Sequence, residues 1–565
     1  MPPEVLPVLL AIGVGLLAGL AGGLFIELLR LSTAFFFGEV KTAFWFLGPF
    51  AVVLLPTIGG VIVGPFIYFF ARETKGHGVP EVMTAIVAQG GRIRARVVLV
   101  KLLASVLTIG SGGSAGREGP MIQIGAGIGS WVAQWFKMPE PRIRTFLACG
   151  AAGGVAAAFN APIAGALFSL EVLIGRFTTE FALIVLASVA AAIVSRLMLG
   201  NFPAFEIPPY DLISEKELLF YLLLGILTAL AATAFVRALY WFEDFFDRLQ
   251  LPDYLKPALG GLLVGGIGIG LPQALGAGFP PMEAALKVQL PFLILFLLAP
   301  TKILATSLTI GSGGSGGVFA PSLFIGGMVG GSLGSVVHAL FPSFTAFYGA
   351  YALVGMAACF GAAAQAPLTA ILIIFEMTND YRIILPLMTA TVVSTLIFRT
   401  LNEESIYTLK LKKRGLSYPV GWDTDLMASI PVRDALTHQV LNVSPEMTIA
   451  QFLEVMERED HEWFPIVDRR GELVGVITAD DAQRAVERNE LEARVLDYAT
   501  KELVVAYPDE NLQEVMKKFD EGLGHLPVVE SGNPRRLVGI ISRLHAIRAY
   551  NRALRERQKR RGLIL

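Results

Sequence analysis

Long apolar stretches separated by glycine and proline make up the chain as far as about residue 400. From about residue 410 onward, acidic and basic residues recur every few positions instead. A membrane-spanning helix needs about 20 apolar residues in succession. The pattern therefore predicts an all-α polytopic membrane domain followed by a soluble domain, and it favours a first membrane helix at the N-terminus over a cleaved signal.

Many of the apolar runs are shorter or longer than a simple span. Beyond the first, they cover approximately residues 46–70, 94–110, 120–136, 145–174, 178–199, 217–241, 257–275, 289–310, 321–341, 347–376 and 382–400. Breaks in a helix at membrane depth are tolerated only where they are buried in protein or line a wet cavity. We therefore expect broken, re-entrant helices around an internal site.

The membrane part contains an internal duplication. Its first copy begins at Lys101 and reads KLLASVLTIGSGGSAGREGPMIQIGAGIG; its second begins at Lys302, 201 residues later, and reads KILATSLTIGSGGSGGVFAPSLFIGGMVG. A second matched pair follows, AAAFNAPIAGALFSLEVL from Ala156 and GAAAQAPLTAILIIFEMT from Gly361. Duplicated units with interrupted helices at corresponding positions are typical of transporters, whose site lies between the repeats.

Each copy has a Gly/Ser loop that leads directly into an apolar run. The helix that follows would begin at membrane depth with the N–H groups of its first turn unpaired. Such an end attracts anions. Close helix packing through small residues is the alternative explanation for the glycines. Because the loop occurs twice, each time with a proline near the helix start, the anion site is favoured.

Four motifs in register resemble the CLC family of chloride channels and chloride/proton exchangers. GHGVP at 76–80, GREGP at 116–120 and GVFAP at 317–321 resemble its three anion-site motifs, and ESIYTLKL from Glu404 resembles the segment with its inner tyrosine. The resemblance covers residues 1–415. It implies a multi-pass protein of the cell membrane, two inverted repeats of about 1–200 and 201–410, and a homodimer with one pore per subunit.

The resemblance also implies roles for individual residues. Glu118 corresponds to the gating glutamate, whose carboxylate occupies an anion position when ionised and leaves it when protonated. A structural ion pair with Arg117 is the alternative for this carboxylate. The anion-binding positions are His77, Gly78, Val318, Phe319 and Tyr407, and the pore motifs add Gly116, Arg117, Gly119, Pro120, Gly317 and Pro321.

Two positions depart from the family pattern. His77 stands where most members have a serine that donates its hydroxyl to the anion. An imidazole could donate one N–H, could charge near neutral pH, or could point away while backbone amides bind. Val172 stands where many exchangers have an inner proton-transfer glutamate, one residue after Glu171. Valine cannot relay a proton, although some exchangers of the family also lack this glutamate.

The expected function is therefore chloride transport in exchange for protons, with other monovalent anions as further candidate substrates. A passive chloride channel, gated by pH or voltage, is the alternative that Val172 favours. Two further classes are a membrane-anchored nucleotide sensor and an intramembrane enzyme that uses Glu118 as acid or base. A sensor does not need a duplicated set of broken helices, and the sequence around the Gly/Ser loops lacks the motifs of an enzyme.

The soluble part is a second duplication, with copies at 429–494 and 495–551, a preceding linker at 411–428 and a basic tail at 552–565. Each copy has the pattern loop, amphipathic helix, strand, turn, strand, helix. This α+β pattern resembles a tandem pair of CBS domains, which serve as cytosolic regulatory modules in the family and often bind adenine nucleotides (ATP, ADP or AMP). Thr478 and Asp481 match nucleotide-contacting positions, whereas the second copy has Ser542 and His545 there. Nucleotide binding and a purely structural role both stay open.

Composition argues against other classes of protein. The chain is 54% hydrophobic and 16% charged with a net charge of −1, so a nucleic-acid partner is not expected. Cys149 and Cys359 lie in apolar runs, and neither a zinc-ligand spacing nor a Ser/His/Asp arrangement accompanies the Gly/Ser loops. We expect no metal, no required cofactor and no enzymatic activity.

Overall fold

The computed structural model describes residues 5–175, 180–200, 205, 207–208, 210, 212–416, 424–438, 440–459, 463–519 and 523–560, with side chains as far as 555. The chain divides into two compact units. The membrane unit comprises Met1–Met138 and Arg142–Lys413, and the soluble unit comprises Pro139–Pro141 and Arg414–Leu565.

Within its described residues, the membrane unit consists of helices joined by loops, with isolated β-bridges between some of the loops. Its helices are α1 Val5–Ala34, α2 Lys41–Ala43, α3 Ala51–Phe70, α4 Val79–Ala88, α5 Ala95–Gly110, α6 Glu118–Trp135, α7 Glu140–Phe159, α8 Pro162–Phe168, α9 Phe181–Leu199, α10 Leu218–Arg248, α11 Lys256–Gly270, α12 Phe279–Leu286, α13 Phe292–Gly311, α14 Phe319–Leu340, α15 Tyr348–Ala364, α16 Pro367–Thr378, α17 Ile384–Leu401 and α18 Thr408–Lys413. Short π-helical or 3₁₀ turns occur at Phe35–Val40, Trp45–Phe50, Arg72–Thr74, Ser169–Ile174, Glu215–Glu217 and Pro272–Ala274.

Seven helical stretches among the described residues are long and apolar enough to cross a membrane. They are Val5–Ala43, Trp45–Phe70, Phe181–Leu199, Glu215–Arg248, Phe292–Gly311, Phe319–Leu340 and Ile384–Leu401. Shorter apolar helices such as α4, α8, α11 and α16 accompany them. The predicted mixture of spanning and partial helices is confirmed.

Two long apolar runs, predicted at 145–174 and 347–376, are each broken into two helices. The residues at the breaks, Asn160 and Gln365, adopt left-handed backbone angles with φ of 57° and 55°. A left-handed residue ends a helix. Pro162 and Pro367 then open the next helix, where the missing N–H of proline costs nothing.

The sequence duplication is also a structural one, since α4 to α9 correspond in order to α12 to α17. In both copies the third and fourth helices touch backbone to backbone. A Cβ added at Gly125 of α6 would overlap the carbonyl oxygen of Gly150 of α7, and the same holds for Gly326 of α14 and Gly355 of α15. Small residues permit this approach. The glycines inside these helices therefore serve packing, separately from those of the loops.

The soluble unit contains two small antiparallel sheets. Its strands are β1 Trp463–Val467, β2 Leu473–Thr478, β3 His525–Glu530 and β4 Asn533–Ser542, with β1 paired to β2 and β3 to β4. Its helices are α19 Thr424–Ala428, α20 Ile449–Glu459, α21 Ala479–Glu487, α22 Val495–Tyr498, α23 Leu512–Phe519 and α24 Arg543–Arg560, with a 3₁₀ turn at Val432–Asp434. The predicted helix–strand–strand–helix order occurs in both copies, so the expected fold class is confirmed.

Each copy of the soluble duplication has its own apolar core. Phe452 and Phe464 lie at the centre of the first, and Phe519 belongs to the second. Leu426 and Met427 of α19 also pack into the second core, although the sequence assigns them to the linker. Of the predicted linker, residues 417–423 lie outside the described residues, as do residues 561–565 of the basic tail.

Candidate anion-transport site

The Gly/Ser loops of the two repeats are hydrogen-bonded to each other. The N–H of Gly116 donates to the carbonyl of Gly317 at 2.7 Å, and the N–H of Gly317 donates to the carbonyl of Gly116 at 2.6 Å. The loop before α4 joins them, because Gly76 donates to Gly314 at 3.1 Å and accepts from Gly316 at 3.3 Å. Backbone pairing therefore gathers the three glycine motifs into one place.

Three helices begin at this junction. α4, α6 and α14 follow directly on Gly78, Arg117 and Val318, and Gly78 has a φ of 85° that favours glycine. The first turn of α6 touches both other loops: a Cβ at Gly119 would lie 2.8 Å from the Cα of Gly317 and would overlap the carbonyl oxygen of His77. Helix N-termini present unpaired N–H groups and the positive end of the dipole. Their convergence makes a setting for an anion.

The carboxylate of Glu118 lies at the start of α14. Its Oε2 accepts a hydrogen bond from the N–H of Ala320 at 3.3 Å, and the side chain is 0% exposed. Its Oε1 makes no hydrogen bond within the described part of the chain. Pro120 and Pro321 occupy the third positions of α6 and α14, where proline removes no helical hydrogen bond. The side chain of one repeat thus occupies the helix end offered by the other.

Arg117 is held mainly by groups other than Glu118. Its Nη2 donates to the carbonyl of Ala158 at 3.2 Å, and its guanidinium lies 4.3 Å from the ring centre of Phe279. The closest approach to the Glu118 carboxylate is 3.9 Å, from Nε to Oε1. Arg117 therefore supplies positive charge beside Glu118 without a hydrogen bond to it.

Three of the predicted anion-binding residues, His77, Phe319 and Tyr407, belong to one aromatic cluster. The ring centre of Tyr407 lies 5.9 Å from that of His77 and 6.3 Å from that of Phe168. Phe168 lies 6.4 Å from Phe319, which also packs on Phe159 at 4.9 Å. These side chains are all buried. The structure thus brings His77, Phe319 and Tyr407 together around the helix ends.

Tyr240 of α10 belongs to this cluster and was missed by the sequence analysis. Its hydroxyl donates to the carbonyl of Ile406 at 2.7 Å and lies 3.4 Å from Nε2 of His77. The N–H of Ile406 donates to the carbonyl of Ala363 at 2.8 Å, so the backbone of the residue before Tyr407 is held at both its N–H and its carbonyl. In the sequence, Tyr240 is one tyrosine near the end of the apolar run 217–241, and nothing in that pattern indicates a role at the site.

Two buried lysines also went unassigned. Nζ of Lys101 donates to the carbonyls of Thr74 and Gly76 at 3.1 and 2.8 Å. Nζ of Lys302 donates to the equivalent carbonyls, those of Ala274 and Gly276, at 3.0 and 2.7 Å. The sequence did indicate these lysines, because each is the first residue of one copy of the repeat and lies in an otherwise apolar run. Ionisable residues at membrane depth usually have a function. The two lysines hold the loops that precede α4 and α12.

Glu171 is engaged in capping a helix of the other repeat. Its carboxylate accepts hydrogen bonds from the N–H groups of Leu368 and Thr369, at 3.2 and 2.8 Å, at the start of α16. Glu376 of α16 returns the contact, accepting from two N–H groups at the start of α8 at 3.0 and 2.7 Å. The adjacent Val172 is 7% exposed. The two carboxylates therefore clamp the repeats reciprocally through helix N-termini.

Thr478 and Asp481 form a capping box at the start of α21. Oδ2 of Asp481 accepts from the N–H and the hydroxyl of Thr478, at 2.8 and 2.7 Å, while Oδ1 is paired with Arg484. Both carboxylate oxygens are thus in use. A ribose bound at this position would have to share these oxygens with Thr478 and Arg484.

Family models match both the membrane part and the soluble part of the chain. The family model described as voltage gated chloride channel, Voltage_CLC, matches residues 59–399, and the CBS domain model matches 432–488 and 495–552. The chain is 35% identical to a putative chloride channel protein, ClcB-like, of Ralstonia nicotianae, over 64% of this chain and 86% of the relative. It is 32% identical to the H(+)/Cl(-) exchange transporter ClcA of Vibrio cholerae, over 72% of this chain and 88% of the relative.

Among solved structures, a slow cyanobacterial Cl-/H+ antiporter is similar with a TM-score of 0.66 and 31% identity, over 72% of this chain and 97% of that one. The family model covers more than half of the chain, and it includes all three glycine motifs that meet at the junction. The protein is therefore a member of the CLC family of voltage gated chloride channels that carries a C-terminal pair of CBS domains.

Proposed function

We propose that this protein carries chloride across the membrane in exchange for protons and that Glu118 is its gate. The observation that carries the proposal is the position of the Glu118 carboxylate at the N-terminus of α14. A carboxylate held by a helix N–H stands in for an anion, so chloride can bind there only when the side chain leaves. Protonation removes the charge that holds the side chain in place, which links proton uptake to chloride entry.

The remaining assigned residues complete the path in this proposal. The backbone amides around Gly78, Val318 and Phe319, at the starts of α4 and α14, donate to the anion. His77 and Tyr407 line the opposite side. Backbone amides, which carry no formal charge, suit a monovalent ion that must also leave.

Exchange is supported by two of the similar proteins, the Vibrio cholerae transporter and the cyanobacterial antiporter, whose names describe chloride/proton exchange. A passive channel is the second candidate, because the buried Val172 offers no inner proton relay. Glu171 does not replace it in our proposal, since its carboxylate already accepts hydrogen bonds from the start of α16.

The deciding experiment uses purified protein in liposomes with paired chloride and pH gradients. Exchange predicts a reversal potential that shifts with the pH gradient and proton uptake driven by chloride alone. A potential that follows chloride only would replace exchange with channel conduction. Absence of any anion flux would overturn transport altogether.

We also propose a homodimer with one pore per subunit and a soluble unit on the cytoplasmic side. Cross-linking in liposomes tests the first, with a single monomeric band as the contrary result. Protease access from one side of oriented vesicles tests the second. For Thr478 and Asp481 we propose a structural role as a helix cap, with adenine nucleotide binding as the alternative.

A further inference from the structure

The hydroxyl of Tyr240 has one proton, and the geometry shows where it goes. The 2.7 Å contact to the carbonyl of Ile406 requires that proton, because a carbonyl oxygen can only accept. Toward His77 the hydroxyl therefore offers a lone pair. The 3.4 Å contact between the two side chains is then a hydrogen bond only if Nε2 of His77 carries a proton.

This requirement fixes the tautomer of the imidazole. A neutral imidazole carries one proton, so a proton on Nε2 leaves Nδ1 as an acceptor. An acceptor lone pair repels an anion. Nδ1 gains a proton only when the ring becomes an imidazolium, which then offers both a donor and a positive charge.

From this arrangement we propose that Tyr240 is a positioning residue that makes the anion contact of His77 conditional on protonation. The inference rests on the proposed function, since it assumes that His77 lines the chloride path. A serine hydroxyl at this position would donate at every pH. The His77–Tyr240 pair instead makes chloride binding beside His77 cooperative with proton binding.

Several charged or titratable groups surround the imidazole. They are Glu81 of α4, the helix that begins two residues after His77, Lys101 of α5 bonded to the carbonyl of Gly76, Glu118 of α6, Lys410 of α18 paired with Glu243 of α10 at 3.1 Å, and the phenols of Tyr240 and Tyr407. Among them, Glu118 competes with chloride directly. A test of His77 must therefore remove the Glu118 carboxylate first.

The test measures chloride affinity by calorimetry on the full-length protein in the Glu118→Gln background, from about pH 8 down to about pH 5. We expect affinity to rise about tenfold as the pH falls, as a charge-assisted hydrogen bond would give. Adding Tyr240→Phe frees the neutral ring to carry its proton on Nδ1. Affinity at high pH should then rise, and the ratio between low and high pH should fall below about threefold.

Two further variants complete the comparison. Adding His77→Ser should abolish the same pH ratio, and adding Tyr221→Phe should leave it unchanged, because Tyr221 is a buried tyrosine of the same helix that stacks on Tyr351. An undiminished pH ratio in the Tyr240→Phe protein would overturn the inference. An equal loss of chloride affinity at every pH in the Tyr240→Phe protein would also overturn the inference, because it would indicate a merely structural role for Tyr240. Failure of the Glu118→Gln protein to bind chloride at any pH would instead overturn the proposed function.

Discussion

The carboxylate of Glu118 accepts a hydrogen bond from the N–H of Ala320, which lies 202 positions later in the second repeat, at 3.3 Å. The residue equivalent to Glu118 in that repeat is Phe319, which has no charge. The two loops thus offer similar helix ends, but one repeat alone supplies a tethered anion. In our proposal the gate therefore belongs to the first repeat only.

Replacing Glu118 with Gln should leave chloride flux present but uncoupled from protons, and the only pH dependence left should be that of chloride binding beside His77. The amide keeps the size of the side chain and loses the charge that competes with chloride. Flux and proton uptake in liposomes provide the measurement. Glu376→Gln is the matched control, because Glu376 is also a carboxylate that caps a helix N-terminus. This variant should keep chloride flux coupled to protons. Full pH dependence in the Glu118 variant would argue against the gate.

Replacing Glu171 with Ala should lower stability rather than break proton coupling. The variant loses the acceptor for the N–H groups that begin α16, which costs about 1–2 kcal/mol for a helix cap. A lowered thermal midpoint in detergent with unchanged exchange stoichiometry is the expected pair of results. Glu376→Ala should behave alike because it loses the reciprocal cap. Loss of coupling at normal stability would identify Glu171 as a proton relay.

Replacing Gly119 with Ala should prevent correct assembly of the junction. The new Cβ would overlap the carbonyl oxygen of His77 and approach the Cα of Gly317 to 2.8 Å, and both are backbone atoms. We expect little folded protein by size-exclusion chromatography. Gly266→Ala is the control, because nothing lies within 4 Å of a Cβ there. Normal folding and transport by the Gly119 variant would contradict the close approach of the three loops.

The start of α24 should weaken in acid. Nδ1 of His545 accepts a hydrogen bond from the N–H of Ser542 at 3.3 Å, which requires an unprotonated nitrogen. Burial, and then the neighbouring Arg548, lower the pKa of His545 below its ordinary value of 6.5. The neutral ring is thus favoured in the folded state. The stability it contributes is complete above pH 6.5 and is lost as the pH falls through the lowered pKa.

Hydrogen exchange of the α24 amides, corrected for intrinsic rates, measures this effect. We expect protection to fall by about 1 kcal/mol on acidification, the usual worth of a cap. His545→Asp, which copies the acceptor that Asp481 provides in the first copy, should remove the acid sensitivity over this range. Equal acid sensitivity in that variant would assign the effect to another group.

Replacing Asp481 with Ala should destabilise the first copy by about 1–2 kcal/mol, because the capping box of α21 is lost. Asp480→Ala removes the neighbouring, exposed carboxylate and should have a much smaller effect. Thermal unfolding of the full-length protein gives both values. Addition of ATP should leave the wild-type midpoint unchanged. A rise in the midpoint that Asp481→Ala removes would favour nucleotide binding over the structural role.

Features that depend on neighbouring residues were predictable from the sequence. A Gly/Ser loop followed by an apolar run with an early proline predicts a helix start, and α6 and α14 begin within these motifs at Glu118 and Phe319. The sequence predicted that the apolar run 145–174 is interrupted, but it did not predict that the break lies at Asn160. The order of strands and helices in the soluble unit followed from alternation and turns in the same way.

Features that depend on partners far along the chain were not predictable. The polar tip of Tyr240 is one atom in a long apolar helix, and its partner Ile406 lies 166 residues later. Glu171 stood out because it is next to Val172, yet its partner Thr369 lies 198 residues away. No local pattern encodes such pairs, since hydrophobic periodicity reports which face is buried and not what it meets.

The sequence by itself determined the two units, the repeats and the helix starts, and it placed Glu118 at one of those helix starts. These features follow from backbone propensity and hydrophobic pattern, which act over a few residues. Only the tertiary structure decided that the three loops pair through their backbones, that Glu118 occupies the helix end of the other repeat, and that Tyr240 stands between His77 and the peptide before Tyr407. Those contacts arise where the repeats pack together, and there a buried polar group must find whichever partner the fold brings to it.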